Sequence, residues 1–148
     1  MTKNQMLALK IAAVLWVVWG LVHMFAGVMT ITQDTAGSVA GIADAVDPAL
    51  LAGDYHPAVG AVLNQHGFNL LWIGTYTLIA AFFIWRANLT AIWTAAIVGG
   101  VTDVGYFIFM DLGGFVNFVP GTVMTLISAS AILLSVPLWW INRSNAAG

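Results

Sequence analysis

Three side chains that could bind a ligand or carry a proton lie within or beside apolar stretches of this sequence: His23, His66 and Asp103. Ionisable groups inside a membrane are costly, and they usually face protein or water. Imidazole and carboxylate groups are good ligands for zinc, iron and copper, and they also relay protons or hold polar head groups. The first candidate site therefore joins His23 and Asp103, with His66, His56 or Asp54 as further members.

The elements that position these residues follow from composition. Hydrophobic residues make up 61% of the chain and charged residues only 7%, whereas soluble domains carry about 25% charged residues. A spanning helix needs roughly 20 mainly apolar residues. Four segments qualify, at about 9–31, 66–85, 90–110 and 120–140. The sequence predicts an all-α integral membrane four-helix bundle that forms a single domain over 1–148. The first apolar run is longer than the core of a signal peptide, so we expect it to be retained as a span.

The few basic residues orient the bundle. With four spans, Lys3, Lys10, Arg86 and Arg143 all fall on one side, and five of the six Asp residues fall on the other. Basic residues favour the cytoplasm, so both termini are predicted to be cytoplasmic. Four tryptophans then form an aromatic belt at that interface: Trp85, Trp93, Trp139 and Trp140. Four basic residues and a net charge of -2 argue against a nucleic-acid partner.

The long connection at 33–65 is expected to carry a short amphipathic helix on the outer membrane surface. Val39, Ile42, Val46 and Leu50 repeat at helical spacing. The Asp47–Pro48 pair is typical of a helix start. Pro57 is a second possible start, of a helical approach to the second span.

Depth and helical face bring the candidate residues together. His23 lies roughly 12 Å and Asp103 roughly 10 Å from the outer ends of their helices, at 1.5 Å per residue. Each span also carries one stripe of polar or small residues, and the four stripes are predicted to converge. The stripes are Trp16, Trp19, His23, Gly27 and Thr30; His66, Asn69, Ile73 and Tyr76; Ala96, Gly99, Asp103 and Tyr106; and Asn117, Gly121, Thr125 and Ser128.

Several chemistries fit this set. A metal site would use His23, His66 and Asp103, with His56 as a fourth ligand. A haem would need two His at similar depth. A lipid-like or quinone-like ligand would be held by His23, His66 and Asp103 with Trp19, Asn69, Tyr76 and Tyr106 around them, and an apolar pocket lined by Tyr76, Tyr106, Trp72 and Phe107 would take its body. Alternatively, His23 and Asp103 form a hydrogen-bonded pair that only fixes helix register. There is no Cys, which excludes thiol chemistry and disulfides.

The Gly-rich first span, Trp19-Gly20-Leu21-Val22-His23 onward to Gly27, resembles that of the DoxX-like group of small bacterial four-helix membrane proteins. The resemblance covers the four spans, and it implies a bacterial inner-membrane protein without assigning functional residues. Three functions stay open. The chain is a membrane protein with an outward-facing intramembrane site for a metal or a lipid-like ligand. It is an accessory or scaffold subunit of a larger membrane complex. Or it is a small proton-coupled transporter that acts as a homo-oligomer.

Overall fold

A computed structural model describes residues 1–143, and within that range the chain is helical and has no strands. Four helices are long and apolar enough to cross a membrane, which confirms the four predicted spans: Lys3–Thr32, Pro57–Trp85, Leu89–Asp111 and Phe118–Asn142. We label the α-helices α1 (Lys3–Thr32), α2 (Thr35–Ile42), α3 (Pro48–Leu51), α4 (Pro57–Trp85), α5 (Leu89–Tyr106) and α6 (Val123–Asn142). A π-helical turn at Phe107–Asp111 extends α5, and another at Phe118–Thr122 precedes α6.

Two of the long helices begin well before their apolar stretches, and capping residues explain both. Thr2 and Gln5 form a capping box that starts α1, so each side chain bonds a backbone N–H that the first helical turn leaves free. His56 caps α4, and Pro57 occupies its first turn, where the missing N–H of proline is no loss. The predicted helical approach from Pro57 is therefore present, and it is continuous with the second span.

The four long helices form a ring in which α1 contacts α4 and α6, and α5 contacts the same two helices. Helices α1 and α5 therefore lie diagonally opposite each other. The charged residues divide between the ends of this ring. We call the end with Lys3, Lys10, Arg86 and Arg143 the basic end, and the end with Asp34, Asp44, Asp47, Asp54 and Asp111 the acidic end.

Helices α1 and α4 pack backbone to backbone through two pairs of glycines. A methyl group on Gly27 would lie 2.6 Å from the carbonyl oxygen of Gly67, and one on Gly20 would lie 2.8 Å from that of Gly74. Small residues allow such close approach between membrane helices. Gly67 and Gly74 are thus contact points of this antiparallel pair.

Aromatic and basic side chains meet at the basic end. The rings of Trp93 and Trp139 stack with their centroids 5.0 Å apart. Lys10 Nζ lies 5.1 Å from the ring centroid of Trp85, and the guanidinium carbon of Arg143 lies 3.6 Å from that of Trp140. Cations are attracted to the faces of aromatic rings, so these contacts hold the predicted tryptophan belt in place.

The segment between α1 and α4 folds over the acidic end. Asp44 Oδ1 accepts a 2.7 Å hydrogen bond from the backbone N–H of Asn117, and Asn117 Nδ2 donates to the carbonyl of Asp44 at 2.9 Å. A further backbone bond joins Ala45 to Phe115. We call residues 43–46 with these bonds the strap. The strap ties the α2–α3 connection to the turn between α5 and α6.

The predicted helical pattern in this segment is divided between two helices. Val39 and Ile42 belong to α2, Val46 lies in the turn between the helices, and Leu50 is exposed on α3. The division occurs because Asp47 Oδ1 accepts from the N–H of Ala49 and Pro48 follows it, which starts a new helix. The helix start at Asp47–Pro48 is therefore confirmed.

Candidate functional site

The centre of the bundle holds a hydrogen bond between two diagonal helices. Trp19 Nε1 on α1 donates to Asp103 Oδ2 on α5 over 2.8 Å. Trp19 is fully buried and Asp103 is 4% exposed. Gly99, one turn from Asp103, has no side chain where the ring of Trp16 lies, which allows the two tryptophans of α1 to reach across to α5. The predicted convergence of the first and third stripes is thus present in the structure.

His23 completes the group. Its ring stacks on Trp19 with centroids 3.6 Å apart. Its Nδ1 lies 2.9 Å from the carbonyl oxygen of Trp19; a carbonyl can only accept, so Nδ1 carries the hydrogen. The other ring nitrogen, Nε2, therefore faces Asp103 Oδ1 at 3.9 Å. That separation is too long for a direct hydrogen bond.

The gap between His23 Nε2 and Asp103 Oδ1 suits a bridging oxygen. If an oxygen lay about 2.8 Å from both atoms, the angle at that oxygen between the two atoms would be roughly 90°. This is compatible with hydrogen bonds to both of them. With the hydrogen on Nδ1, Nε2 of a neutral His23 is an acceptor like the carboxylate, so a bridging water can donate one hydrogen to each, whereas a ligand hydroxyl can donate to one of them. The pair can therefore hold one polar oxygen, or share a proton through it.

A cleft of about 160 Å³ lies between α5 and α6 beside Asp103. Its lining residues are Gly100, Asp103, Val104, Phe107, Thr125, Ser128, Ala129 and Ile132. Three of them are polar, and the rest are apolar or glycine. Ser128 is buried and donates to the carbonyl of Thr125 at 3.1 Å. Thr125 Oγ1 is also buried, and it has no hydrogen-bond partner among residues 1–143.

The second span turns a different face to the bundle from the one we predicted. Its buried residues include Gly67, Gly74 and Thr77, whereas His66 is exposed. The stripe of His66, Asn69, Ile73 and Tyr76 is one residue earlier, or about 100° around the helix. The close backbone contact with α1 decides the orientation, because only the glycines fit against that helix.

His66 lies above His23 rather than beside it. Gly27 packs against Gly67, so His66 is level with the residues near Gly27. His23 is one turn deeper, at about 6 Å along the axis. His66 is thus a neighbour of the site on its acidic-end side, and the Trp19–Asp103 bond does not include it.

The remaining predicted residues have separate positions. His56 is exposed, and its Nδ1 accepts from the N–H of Ala58 at the start of α4, roughly 15 Å along the helix from His66. Asn69 accepts from the indole of Trp72 on its own helix. Tyr76 is half-buried against the core. Tyr106 is half-buried, and its hydroxyl lies where a side chain on Gly121 would be.

The predicted metal set is not assembled as one group. Within residues 1–143, no three His or acidic side chains come together in a way that could hold a metal ion. His23 and Asp103 are a pair, His66 is a turn away, and His56 caps a helix. The predicted apolar pocket is also different, because Phe107 lines the cleft while Trp72 is exposed on another helix.

A second polar contact near the acidic end was not predicted. The hydroxyl of Thr122 donates to Asp111 Oδ1, joining the π-helical turns of α5 and α6. Asp111 Oδ2 is buried without a hydrogen-bond partner in the part of the chain that the structure describes. The charge pattern of the sequence indicates only that Asp111 belongs to the acidic side of the bundle. The signal that could have found this contact is the short, glycine-rich connection at 112–117, which forces the two helix ends together.

Comparisons with protein-family models, with curated proteins and with solved structures find no match for this chain. The features that indicate a function are therefore the contacts of Trp19, His23 and Asp103.

Proposed function

We propose that this chain is a small integral membrane binding protein that holds the polar head of a lipid-like or quinone-like ligand at Asp103, which has His23 on one side and the cleft with Thr125 and Ser128 beside it. Its termini lie in the cytoplasm and its acidic end faces outward, in the inner membrane of a bacterium. The observation that carries the proposal is the buried carboxylate of Asp103, which lies beside a cleft.

Asp103 is costly for the fold. A carboxylate near the centre of a membrane helix costs ~2.5–3.5 kcal/mol on insertion scales. Trp19 satisfies one carboxylate oxygen, while the other faces His23 across a gap of 3.9 Å. An apolar cavity with a few convergent polar groups is the usual form of a binding site for a small molecule. The cleft with Asp103, Thr125 and Ser128 on its wall has that form.

The same geometry favours a molecular ligand over a metal. A metal site needs three or more protein ligands in most structural and catalytic cases. His23 and Asp103 supply two, and His66 is one turn away, so the pair is better suited to a single polar oxygen.

The scaffold function remains the second candidate, and the Trp19–Asp103 bond favours it. A bond between diagonal helices stabilises the bundle whether or not a ligand is present. Transport is less well supported. The hydroxyls of Thr77, Thr94, Ser130 and Ser135, towards the basic end, all donate to carbonyls of their own helices. They are therefore engaged locally and do not form a polar path through that half.

The test compares Asp103→Asn and His23→Ala with the wild-type protein in mild detergent, using binding of a short-chain benzoquinol, which carries the hydroxyl that a carboxylate can accept from, and the thermal unfolding midpoint as readouts. Asparagine keeps the shape of Asp103 and an acceptor for Trp19, so we expect a folded protein with binding weakened at least tenfold. His56→Ala is the matched control, because this exposed imidazole lies outside the site. Unchanged binding in both site variants would contradict the proposal. Loss of assembly or thermal stability, without a specific loss of binding, would favour the scaffold function.

A further inference from the structure

The cleft beside Asp103 opens towards lipid. Val104 on α5, Phe107 on the π-helical turn that extends α5, and Ala129 on α6 are exposed and form its rim. Asp103 and Ser128 at its base are 4% and 2% exposed. A molecule dissolved in the bilayer can thus approach Asp103 from the side, between two helices.

A ligand that approached Asp103 from the acidic end would meet α2 and the strap, which cover that end of the bundle. Helix α2 packs on α1 and α4, and the side chain of Ser38 on α2 donates to the carbonyl of Thr30 near the end of α1. The strap closes the other half of this end through Asp44 and Asn117. Above the cleft itself, Thr122 is bonded to Asp111. The described structure therefore favours lateral entry over entry from outside.

The wall of the cleft selects the chemistry of the head group. No Lys, Arg or His is among the residues that line it in the described structure, so an anionic head would meet Asp103 without a counter-charge. Such a head would carry the large desolvation cost of a buried unpaired charge. Anionic phospholipid head groups are therefore excluded on electrostatic grounds.

Thr125 separates the two remaining classes, hydroxyl and ammonium. Its hydroxyl is buried without a partner among residues 1–143, and the hydrogen of that hydroxyl needs an acceptor. An ammonium group has three donors and no acceptor, whereas a hydroxyl has one donor and two lone pairs. A ligand hydroxyl can donate to Asp103 and accept from Thr125 at the same time.

The size of the cleft limits what enters it. A volume of about 160 Å³ corresponds to about five water molecules at ~30 Å³ each. That accommodates a single ring or a small branched head, while the rest of the molecule stays among the lipid chains at the rim.

We propose that the ligand enters from the bilayer between α5 and α6, and that it is a neutral apolar molecule whose hydroxyl donates to Asp103 and accepts from Thr125. This inference rests on the proposed binding function and adds the entry route and the chemical class of the ligand.

The test uses two probes with the same body, 4-nonylphenol and 4-nonylanisole, which differ in whether the ring oxygen carries a hydrogen. Nonylammonium is the third probe. Binding to the full chain in mild detergent is measured by native mass spectrometry over a range of probe concentrations. We expect the phenol to bind at least tenfold more tightly than the anisole, and the ammonium to bind no better than the anisole.

The entry route is tested by filling the rim. Ala129→Trp places an indole at the mouth of the cleft, and Leu133→Trp places one on the same helix at a residue that is exposed and outside the cleft. We expect Ala129→Trp to remove phenol binding and Leu133→Trp to leave it intact. Thr125→Val keeps the shape of the side chain without its hydroxyl. Because the ring oxygen of either probe can accept from Thr125, this variant should weaken phenol binding at least threefold and leave the preference for phenol over anisole in place.

The outcomes separate this inference from the proposed function. Equal binding of phenol and anisole, tighter binding of the ammonium, or unchanged phenol binding in Ala129→Trp would overturn the inference. If Asp103→Asn still lost benzoquinol binding, the proposed function would stand. If the wild-type protein bound neither the benzoquinol nor the phenol, both would be wrong.

Discussion

The indole of Trp19 and the carboxylate of Asp103 meet at the centre of the bundle, although 84 positions separate them in the chain and their helices are diagonal neighbours. This bond connects the two halves of the bundle through a side chain, because the backbones of α1 and α5 are not in close contact. Its partners are buried, so neither can turn to water if the other is removed.

Replacing Trp19 should reveal the contribution of this bond. Trp19→Phe keeps an aromatic ring against His23 and removes the donor to Asp103. Trp16→Phe is the matched control, because Trp16 is equally buried and its Nε1 has no hydrogen-bond partner among residues 1–143. Interhelical hydrogen bonds in membranes contribute modestly, and bonds to charged groups contribute more.

We therefore expect Trp19→Phe to lower the free energy of unfolding by about 1–2 kcal/mol more than Trp16→Phe does. The measurement is unfolding in mixed detergent micelles by titration with a denaturing detergent. Equal losses in the two variants would mean that the bond contributes nothing to stability.

The glycine pairs between α1 and α4 should tolerate no added side chain. In Gly27→Ala the new methyl group would lie 2.6 Å from a backbone oxygen and 2.7 Å from a backbone nitrogen of α4, so the helices must separate. Overpacking of this kind costs about 1–3 kcal/mol. The same titration measures it.

Gly105→Ala is the control for that substitution. Nothing lies within 4 Å of a methyl group at Gly105, and alanine favours a helix over glycine by up to about 1 kcal/mol. We expect this variant to be as stable as the wild type or slightly more stable. If Gly27→Ala behaved in the same way, the close packing of α1 on α4 would be wrong.

The strap should depend on Asp44. Asp44→Ala removes the acceptor for the backbone N–H of Asn117, whereas Asp47→Ala removes only the cap of α3. A loss of about 1–1.5 kcal/mol of local stability raises the exchange rate of an amide hydrogen roughly tenfold. We expect the amide of Asn117 to exchange about tenfold faster in Asp44→Ala and at the wild-type rate in Asp47→Ala, as measured by hydrogen–deuterium exchange.

The orientation in the membrane can be tested directly because the chain has no Cys. Gly53→Cys lies at the acidic end, where a side chain meets no neighbour within 4 Å. Thr90→Cys lies at the basic end, on an exposed residue at the start of α5. With a membrane-impermeant maleimide, we expect labelling of intact cells at position 53 and labelling at position 90 only after the cells are opened. The reverse pattern would place both termini outside.

Hydropathy predicted the existence of the spans well and their first residues less well. The first span was expected near position 9 and the second near 66, whereas the helices begin at Lys3 and Pro57. Hydropathy detects the apolar part of a helix, but the Thr2 capping box and the His56–Pro57 start determine where the backbone becomes helical. Both signals are present in the sequence, and the apolar window ignores them.

One part of the candidate site was predicted from the sequence and another part was not. Trp19, His23 and Asp103 share a depth and face inward, so their meeting followed from helical periodicity. The orientation of α4 was predicted wrongly, because the polar residues His66 and Asn69 were expected to face the bundle. Close contact of backbones selects glycine faces instead, and which glycines pair across helices depends on the partner helix, which one sequence does not show.

The position of Trp19 has a consequence for biogenesis. Helices α1 and α4 precede α5 in the chain, and their glycine contacts allow them to form a hairpin before α5 is made. That hairpin would already carry the indole of Trp19 when Asp103 leaves the ribosome. We expect the carboxylate of Asp103 to form its bond to Trp19 while α5 inserts. The hairpin of α1 and α4 would then provide the hydrogen-bond donor for the acidic residue that α5 carries into the membrane.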